Sequence, residues 1–435
     1  MVTKTDGITR RKMITGAGGM AALGVMATQT ACGGGSSDAI KWDRVTDIVT
    51  VGSGIGGATA AAVAKDNGDE VIIVEKAGFF GGTSSKTAGV IWVPNSVFLR
   101  AQGISDNKDD CLRYLARFSF PRDYHPDAEN LGLRASEYAL LEAFYDNASV
   151  ALDRLIKLGV LDAVEWRMWA LDRPTPDYLD NVEENKVAQG RAVGVVDADG
   201  NIGQGIEMMG QMDRALKKMG VPVLLKHAAD RLVTDDSGRV IGLIAKHGDQ
   251  EVAIKANKGV IFASGGYSHN TGYVADFQRV AVDGSCAMPV STGDFLKIAS
   301  DVGAKMGNMS GAWRMQLPFE QATATRAVPA GVFYVPGDSM LQVNKYGRRV
   351  VNEKRNYNDR SEIHGVYDPG KAEFTNHLMF MVYDQRTAEA FAGNFPIPVT
   401  PGSDAYTVSG ASVSELSAKL TERLAAISGD TGGVV

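Results

Sequence analysis

Residues 47–95 read DIVTVGSGIGGATAAAVAKDNGDEVIIVEKAGFFGGTSSKTAGVIWVPN, and this stretch decides the fold. It begins with an apolar strand, which Gly52, Gly54 and Gly57 connect to an Ala-rich helix. A second apolar strand then ends at Glu75, at the distance expected of the acid that binds ribose hydroxyls in a dinucleotide site. The order of strand, glycine turn, helix, strand and acid predicts a Rossmann-like βαβ unit.

The three glycines have separate physical tasks in such a unit. Gly52 makes the tight turn, Gly54 lets backbone N–H groups approach a pyrophosphate, and Gly57 lets the helix pack closely on the strand. The N-terminus of the helix adds a partial positive charge for the phosphates. We therefore predict a dinucleotide at this turn.

A second glycine loop selects the dinucleotide. Residues 81–84 (GGTS) follow the acidic strand and lead to residues 89–95 (GVIWVPN). A nicotinamide enzyme has no need of this loop, whereas FAD lies extended across its domain and must also be held beyond the ribose. The run resembles the flavoprotein superfamily of fumarate reductase flavoprotein subunits and 3-ketosteroid delta-1-dehydrogenases. Its IW-x-PN ending is closer to the steroid dehydrogenases.

The resemblance implies an α/β fold: a discontinuous Rossmann-like FAD-binding domain with an inserted α+β catalytic or cap domain. No His lies near Gly82, so we expect the FAD to be bound non-covalently. The predicted cofactor-binding residues are Gly52, Ser53, Gly54, Gly56, Gly57, Glu75, Lys76, Gly82, Thr83, Ser84, Gly89, Ala229, Gly265 and Gly266.

Composition excludes several other classes of protein. The chain has 435 residues, 44% hydrophobic and 22% charged, which is an ordinary soluble composition with room for two domains. A net charge of −6 gives no sign of a nucleic-acid surface, so no nucleic-acid partner is expected. Three scattered cysteines argue against a disulfide framework or a metal cluster. The absence of C-x-x-C-H argues against an attached c-type haem.

The N-terminus is predicted to be a targeting segment. Thr9-Arg10-Arg11-Lys12 precedes a mildly apolar stretch at 14–31, which is typical of a twin-arginine export signal. We therefore expect a periplasmic or cell-envelope protein. Cys32 stands before a Gly/Ser run and is a candidate for lipidation and a membrane tether, although Gln29 occupies a position where Leu is usual.

Periodicity predicts the remaining elements. Helices are expected at 109–115, 131–158, 205–219, 295–306 and 414–427, and strands at 221–225, 231–234, 240–245, 252–256 and 259–263, with a loop at 173–189 and a hairpin at 343–353. In the helix at 131–158 the residues at helical spacing are Leu140, Leu141, Phe144, Val150, Leu152 and Leu155. The expected division is a signal and tether at 1–37, an FAD-binding domain at 43–130 and 203–298, and a catalytic or cap domain at 131–202 and 299–435.

The resemblance also implies what should follow the last helix. Family members continue with a strand and glycine element that completes the flavin site and supplies a carbonyl-binding tyrosine. Residues 428–435 read SGDTGGVV, and that element is absent, so we expect a truncated sequence.

Tyr357 is the residue that separates the two branches of the superfamily. In the fumarate reductase branch, an Arg four residues after the Asn-Glu motif donates the proton. Here Tyr357 stands four residues after Glu353, as in the steroid dehydrogenases. A Pro-Asp-Tyr motif resembles the family's second active-site tyrosine and nominates Tyr178. Arg355 and Arg360 flank Tyr357, and we expect them to be solvated charges after a hairpin.

The predicted catalytic residues are therefore Tyr357, as a tyrosinate base, and Tyr178, as its hydrogen-bond donor. The reaction they suggest is dehydrogenation next to a ketone, with a proton to Tyr357 and a hydride to flavin N5. The partners would be a small ketone or steroid-like substrate and an unidentified external electron acceptor. Two alternatives stay open: an exported enoate reductase of the fumarate or urocanate type, and a flavin-binding electron carrier.

Overall fold

The structure is a computed structural model that describes residues 40–168, 173–400 and 402–430. The predicted export signal and Cys32 lie outside the described residues. The helices are α1 (Ile55–Asp66), α2 (Val97–Ala101), α3 (Lys108–Ser119), α4 (Ala135–Lys157), α5 (Gly205–Lys218), α6 (Thr271–Phe277), α7 (Asp294–Ser300), α8 (Phe319–Thr325), α9 (Tyr357–Ser361), α10 (Gln385–Ala390) and α11 (Val413–Asp430). The strands are β1 (Arg44–Val51), β2 (Val71–Glu75), β3 (Ile91–Trp92), β4 (Ala163–Glu165), β5 (Ala192–Val195), β6 (Val223–Leu225), β7 (Ala228–Thr234), β8 (Val240–His247), β9 (Gln250–Phe262), β10 (Met340–Asn344), β11 (Tyr367–Asp368), β12 (Glu373–Phe374) and β13 (Met379–Tyr383).

A six-stranded sheet organises the first half of the protein. Its strand order is β6-β2-β1-β9-β8-β7. The strands β6, β2, β1 and β9 are parallel, and β9, β8 and β7 form an antiparallel meander. This sheet confirms the predicted α/β fold with a Rossmann-like parallel core.

Both faces of the parallel strands are buried, as their continuous apolar sequence predicts. On one face, Val71 and Ile73 join a core with α1 and α5. On the other, Ile72 and Val74 join a core with residues of the meander. Because side chains alternate along a strand, one five-residue segment supplies both cores.

Helix α1 lies close to the sheet because its buried residues are small. Ala58, Ala61 and Ala62 are fully buried and pack in the same core as Met209 and Met212 of α5. A larger side chain at these alanine positions would push α1 away from the strands and from the glycine turn. The Ala-rich sequence therefore fixes the distance between helix and sheet.

Strand β9 differs from the prediction. Its single run of 13 residues contains both segments that we expected to be separate strands, 252–256 and 259–263. Residues 254–262 of the strand pair in parallel with β1, and the register shifts by one residue between Thr46 and Ile48. This bulge absorbs the polar pair Asn257-Lys258, which had suggested a break.

Helix α4 also differs from the prediction, because a different face of the helix is buried. Leu140, Phe144 and Val150 are exposed by 70%, 43% and 62%, so these three residues do not face the core. The packed positions instead include Tyr138, Leu141, Tyr145, Ala148, Leu152 and Leu155. These positions follow spacings of three and four, and tyrosines take places where aliphatic residues had been expected.

Two further elements are shorter than predicted. Helix α7 ends at Ser300 rather than Met306, because Gly303 turns the chain with a φ of 77° and Ala304 N–H bonds back to Ala299. The hairpin at 343–353 is reduced to one bridge, between Val343 and Arg349. Strand β10 pairs instead with β13.

Smaller sheets position the residues outside the main sheet. Strands β3, β5 and β4 form an antiparallel sheet, in which Trp92 of β3 pairs with Ala192 of β5. Within the described ranges, no helix is long and apolar enough to cross a membrane. The division into two discontinuous domains stays a prediction.

Candidate active site

A cavity of about 250 Å³ opens at the carboxyl ends of β1, β2 and β9. This is where ligands bind in open α/β sheets. Eleven of the fourteen predicted cofactor residues line it: Gly52, Ser53, Gly54, Gly56, Glu75, Lys76, Gly82, Thr83, Ser84, Ala229 and Gly265. The folded chain thus brings the first glycine turn, the acidic strand and the second glycine loop to one place.

The glycine turn leaves the N-terminus of α1 open towards the cavity. Gly52 has a φ of 99°, a backbone conformation that favours glycine. A β-carbon on Gly57 would lie 1.9 Å from the carbonyl oxygen of Gly52, so the helix can start here only with glycine. No side chain caps α1 at Gly54, and its first turn carries no acid. The Ile55 N–H donates to the Ser84 hydroxyl at 3.1 Å, and the positive end of the helix faces the cavity, where it favours an anion.

Ser53 and Glu75 form the acidic side of the cavity. The Glu75 carboxylate accepts hydrogen bonds from the Ser53 N–H at 2.9 Å and the Ser53 hydroxyl at 2.8 Å. Its other oxygen accepts the Ala77 N–H at 2.7 Å. The Ser53 hydroxyl oxygen in turn accepts the Gly81 N–H at 3.0 Å. These bonds hold the acid at the cavity edge and leave it acceptor capacity for a ribose hydroxyl.

Lys76 also lines the cavity, and it is held by residues that the sequence motif had not assigned to the cofactor. Its ammonium group donates to the Thr292 hydroxyl at 2.6 Å and to the Asp294 carboxylate at 2.7 Å. Asp294, Ser291 and His227 line the cavity as well. The T-G-D pattern at 292–294 could have indicated Asp294, but no sequence signal marked His227.

Three predicted cofactor residues do not line the cavity. Gly57 packs on the turn, as described above. Gly89 has a φ of 73°, and a β-carbon there would lie 2.7 Å from Gln204, so it lets the second glycine loop pack on the start of α5. The carbonyl of Gly266 accepts the Gly293 N–H at 3.0 Å. Gly57 and Gly89 therefore do not line the cavity but allow the close packing of the segments that do.

The residues present fit a flavin adenine dinucleotide. An uncapped helix N-terminus suits a pyrophosphate, and the Glu75 carboxylate suits the ribose. Among the residues that the structure describes, no group of His, Cys, Asp and Glu side chains could hold a metal ion. The donors around the cavity are thus those of a dinucleotide site.

The two predicted catalytic tyrosines meet although 179 positions separate them in the chain. The rings of Tyr178 and Tyr357 lie edge to face, with centroids 6.0 Å apart. The Tyr357 hydroxyl oxygen accepts a hydrogen bond of 2.6 Å from the indole N–H of Trp313. Because an indole N–H only donates, the direction of this bond is certain.

Tyr178 is the more protected member of the pair. Burial, followed by the charge of Tyr357 and a hydrogen bond to it, raises the pKa of Tyr178 well above its usual range. The Tyr178 phenol therefore keeps its proton at neutral pH. The Tyr178 carbonyl accepts a hydrogen bond from the Tyr114 hydroxyl, which anchors its backbone.

A buried ionic network holds the loop that carries Tyr178. Arg191 is 1% exposed, and its guanidinium donates to both oxygens of Asp106 at 2.8 and 2.9 Å. A third bond goes to Asp177, the residue before Tyr178. Asp177 also accepts the Trp92 indole N–H at 2.8 Å. The segment from 173 to 189 has no regular secondary structure, so this network gives Tyr178 its place.

Arg360 contradicts the expectation of a solvated charge. It is 1% exposed and donates to the carbonyls of Glu353 at 3.0 Å and Val332 at 2.6 Å. Burial lowers the pKa of Arg360 to about 10, against a smaller opposing effect of Tyr178. Arg355 is only half-buried and bonds to Asn181 at 3.2 Å. The two arginines beside Tyr357 thus have different environments.

Glu353, the acid of the Asn-Glu motif, is a buried structural group. It is 2% exposed and accepts bonds from the Gln342 N–H at 2.9 Å and from Arg349 at 2.8 and 2.7 Å. Burial opposes ionisation, but the bonds from Arg349 and Gln342 outweigh it and lower the pKa of Glu353 to about 2. This carboxylate fixes the turn that precedes α9 and Tyr357.

Comparison with known proteins places these features in a family. The chain matches the FAD binding domain family over residues 47–426. It is 26% identical to 4-oxocyclohexanecarboxylate 2-dehydrogenase of Sinomonas cyclohexanicum, over 86% of this chain and 70% of that protein. It is also 26% identical to 3-oxosteroid 1-dehydrogenase of Mycolicibacterium smegmatis, over 80% of this chain and 70% of that protein.

Solved structures show the same fold. The structure is similar to that of 3-ketosteroid-delta4-(5alpha)-dehydrogenase from Rhodococcus jostii, with a TM-score of 0.61, 22% identity and coverage of 90% of this chain and 80% of that one. It is also similar to 3-ketosteroid delta1-dehydrogenase from Sterolibacterium denitrificans, with a TM-score of 0.61, 21% identity and coverage of 79% and 70%. The chain therefore belongs to the FAD binding domain family and is an FAD-dependent oxidoreductase.

Proposed function

We propose that the protein is a dehydrogenase that introduces a C=C bond next to a ring ketone, with a 3-oxosteroid-like molecule as substrate. The observation that carries this proposal is the contact between Tyr178 and Tyr357, two phenols from separate segments whose rings are 6.0 Å apart. The relatives described above are named for dehydrogenation of 4-oxocyclohexanecarboxylate and of 3-oxosteroids. Both names specify a ketone.

In the proposed reaction, Tyr357 is the base. A ketone acidifies the C–H bonds on the neighbouring carbon, so a tyrosinate can take that proton. Tyr178 keeps its own proton and lies edge to face against Tyr357, so its phenol is the proposed donor to the tyrosinate; the Trp313 indole N–H donates to Tyr357 at 2.6 Å. Hydrogen bonds to the charged form of a group favour that form, so both donors stabilise the tyrosinate.

FAD, when bound, supplies the two-electron acceptor that takes the hydrogen of the next carbon as hydride. Loss of a proton from one carbon and of hydride from its neighbour leaves the C=C bond. The chain holds the cofactor through the open N-terminus of α1 at its pyrophosphate and through Glu75 at its ribose.

The surroundings of the tyrosine pair suit an apolar ring. Trp313 is 60% exposed and packs on Tyr178 and Phe118, with ring centroids 6.4 and 6.3 Å apart. Phe333 lies 5.1 Å from the Tyr357 ring. An exposed indole above two phenols offers a flat apolar face for a fused-ring substrate.

The neighbouring arginines argue against a reductase of small dicarboxylates. Such an enzyme needs guanidinium groups free to clamp its substrate. Arg191 is engaged by Asp106 and Asp177, and Arg360 by main-chain carbonyls. Neither buried arginine is available as a clamp.

Anaerobic mixing tests the proposal. The FAD-loaded chain is mixed with a 3-oxosteroid or with 4-oxocyclohexanecarboxylate, and the absorbance of oxidised flavin is followed. We expect bleaching by a ring ketone. If no ring ketone bleaches the flavin, or if fumarate re-oxidises the reduced flavin, the proposal is wrong; no response to any of these compounds would favour an electron carrier.

Tyrosine variants then locate the base. Y357F should slow bleaching by about 10²–10⁴-fold, the usual contribution of a general base. Y178F should slow it less, because the base survives and loses one donor. The matched control is Y346F, which removes the hydroxyl of an exposed tyrosine that bonds to Glu373. We expect Y346F to bleach at the wild-type rate.

A further inference from the structure

Arg360 is a buried cation that no acid neutralises. Among the residues that the structure describes, its hydrogen bonds go to main-chain carbonyls, and its Nε has no partner. Two influences act on its pKa: burial, which lowers it to about 10, and the charge of Tyr178, which raises it. Among the described residues, the side chain whose ionised form favours the charged form of Arg360 is Tyr178, one of the catalytic pair.

The other fully buried arginine shows how unusual this is. Arg191 faces two carboxylates, Asp106 and Asp177, with side chains no more than 1% exposed. Burying an unpaired charge costs several kcal/mol, so buried cations are normally paired in this way. Arg360 has the same burial without the carboxylates. A negative charge that forms only during reaction would complete its environment.

The geometry places that charge on the tyrosines. Tyr357 and Arg360 are three residues apart in α9, a spacing that puts side chains on neighbouring positions of a helix. The influences on Tyr178 include both Tyr357, which raises its pKa, and Arg360, which lowers it. The buried cation thus acts on the phenol whose ring contacts Tyr357.

Other ionisable groups around the pair do not take over this role. From α3, Tyr114 raises the pKa of Tyr178. Asp177, next in sequence, is neutralised by Arg191. On α9, burial raises the pKa of Asp359, against bonding to Asn356 and the charge of Arg355. Acidic or phenolic neighbours can only oppose ionisation of the pair.

We propose that Arg360 is the counter-ion of the tyrosine pair, a positioning residue whose buried charge stabilises the pair after one proton has left. This inference rests on the proposed function, in which Tyr357 works as a tyrosinate. Arg360 itself touches no substrate; it acts through the phenols. Without its charge, the base form is populated only at higher pH.

The test compares R360Q, R360K and R355Q in the FAD-loaded full chain. R360Q keeps amide donors for the carbonyls but loses the charge, and R360K keeps the charge. In R360Q we expect the acid limb of the pH profile of kcat/KM to shift to higher pH by at least about one unit. At a given pH on that limb, kcat/KM then falls about tenfold. R360K should recover at least half of the shift. R355Q, which removes the half-buried neighbouring charge, should not move the limb.

A second measurement needs no turnover and compares the wild type with R360Q. The 13 tyrosines are labelled with ¹³C at Cζ, and the FAD-loaded chain is titrated by NMR, with Y357F and Y178F assigning the pair. We expect the first tyrosinate of the pair to form at a lower pH in the wild type than in R360Q. This readout remains valid if no ring ketone is turned over, so it separates failure of the counter-ion from failure of the proposed function.

Two results would overturn the inference. One is an R360Q enzyme whose acid limb coincides with that of the wild type. The other is an NMR titration in which the tyrosine pair ionises at the same pH in R360Q and in the wild type. An R360K enzyme whose acid limb coincides with that of R360Q would also reject a role for the charge. Only the forked hydrogen-bonding geometry of the guanidinium would then matter.

Discussion

Replacing Arg191 by methionine should destabilise the protein by several kcal/mol. The guanidinium makes three charge-assisted bonds, two to Asp106 and one to Asp177, and all three side chains are at most 1% exposed. Taking about 1.5 kcal/mol for each bond, the low end for bonds to charged groups, gives about 4.5 kcal/mol. This agrees with the roughly 3–5 kcal/mol that breaking a buried ion pair costs when its partner is left unpaired.

The control for R191M is R231M. Arg231 makes a two-bond fork of 2.7 and 2.8 Å with Glu251, but the two side chains are 48% and 51% exposed. An exposed pair contributes only about 0–1 kcal/mol. Because both substitutions remove a forked ion pair, the difference between them measures the effect of burial.

Urea denaturation of the two variants, followed by circular dichroism, gives the free energy of unfolding. A loss of less than about 1 kcal/mol in R191M, or equal losses in R191M and R231M, would refute the reasoning. Adding D106N to R191M should restore part of the stability, since it removes one of the stranded charges. If D106N lowers the stability of R191M further, the stranded carboxylates are not the cause of the loss.

Three other substitutions test the site. G57A puts a β-carbon 1.9 Å from the Gly52 carbonyl oxygen, and overpacking of about 1–3 kcal/mol should weaken FAD binding by tenfold or more, measured by quenching of flavin fluorescence. W313F removes the 2.6 Å donor to Tyr357 and should slow flavin bleaching by a ring ketone by roughly two- to tenfold, from a bond of about 0.5–1.5 kcal/mol. E353Q should lower the melting temperature at neutral pH, and the difference from wild type should shrink as the pH falls. The pKa of Glu353 is lowered from 4.5 to about 2, so its stabilisation is present above pH 4.5 and is lost towards pH 2.

Each of these predictions has a result that contradicts it. For G57A the comparison is G259A, whose β-carbon would meet nothing within 4 Å; equal FAD affinity in the two variants would reject the steric argument. For W313F, unchanged bleaching would show that the indole bond does not assist the base. For E353Q, a melting difference that stays constant between neutral and acid pH would show that ionisation of Glu353 is not involved.

Much of the cofactor site could be predicted from the sequence because its determinants are local. Gly52, Gly54 and Glu75 belong to one βαβ unit, and their spacing carries the geometry. Their positions follow from a turn, a helix start and the end of a strand. His227 carried no such signal, because it reaches the cavity only through the parallel pairing of β6 with β2.

The family resemblance predicted the tyrosine pair, but it did not predict the buried residues that hold the pair in place. Arg191 occurs in a stretch without regular structure, and nothing local shows that Asp106, 85 positions earlier, lies beside it. Arg360 was expected to be solvated because charged residues usually are. Its burial depends on carbonyls from residues 332, 333 and 353, whose approach is set by tertiary packing.

The place of β9 in the sheet affects how the protein is made. Strand β1 lies between β2, which ends at residue 75, and β9, which ends at residue 262. At a synthesis rate of about 5–20 residues per second, β9 follows β2 from the ribosome by roughly 10–40 seconds. During that interval β1 has an unpaired edge and a bare apolar face, the kind of surface that aggregates or engages chaperones. Gly265 and Asp294 follow still later, so the cavity has its full lining only when nearly 300 residues have emerged.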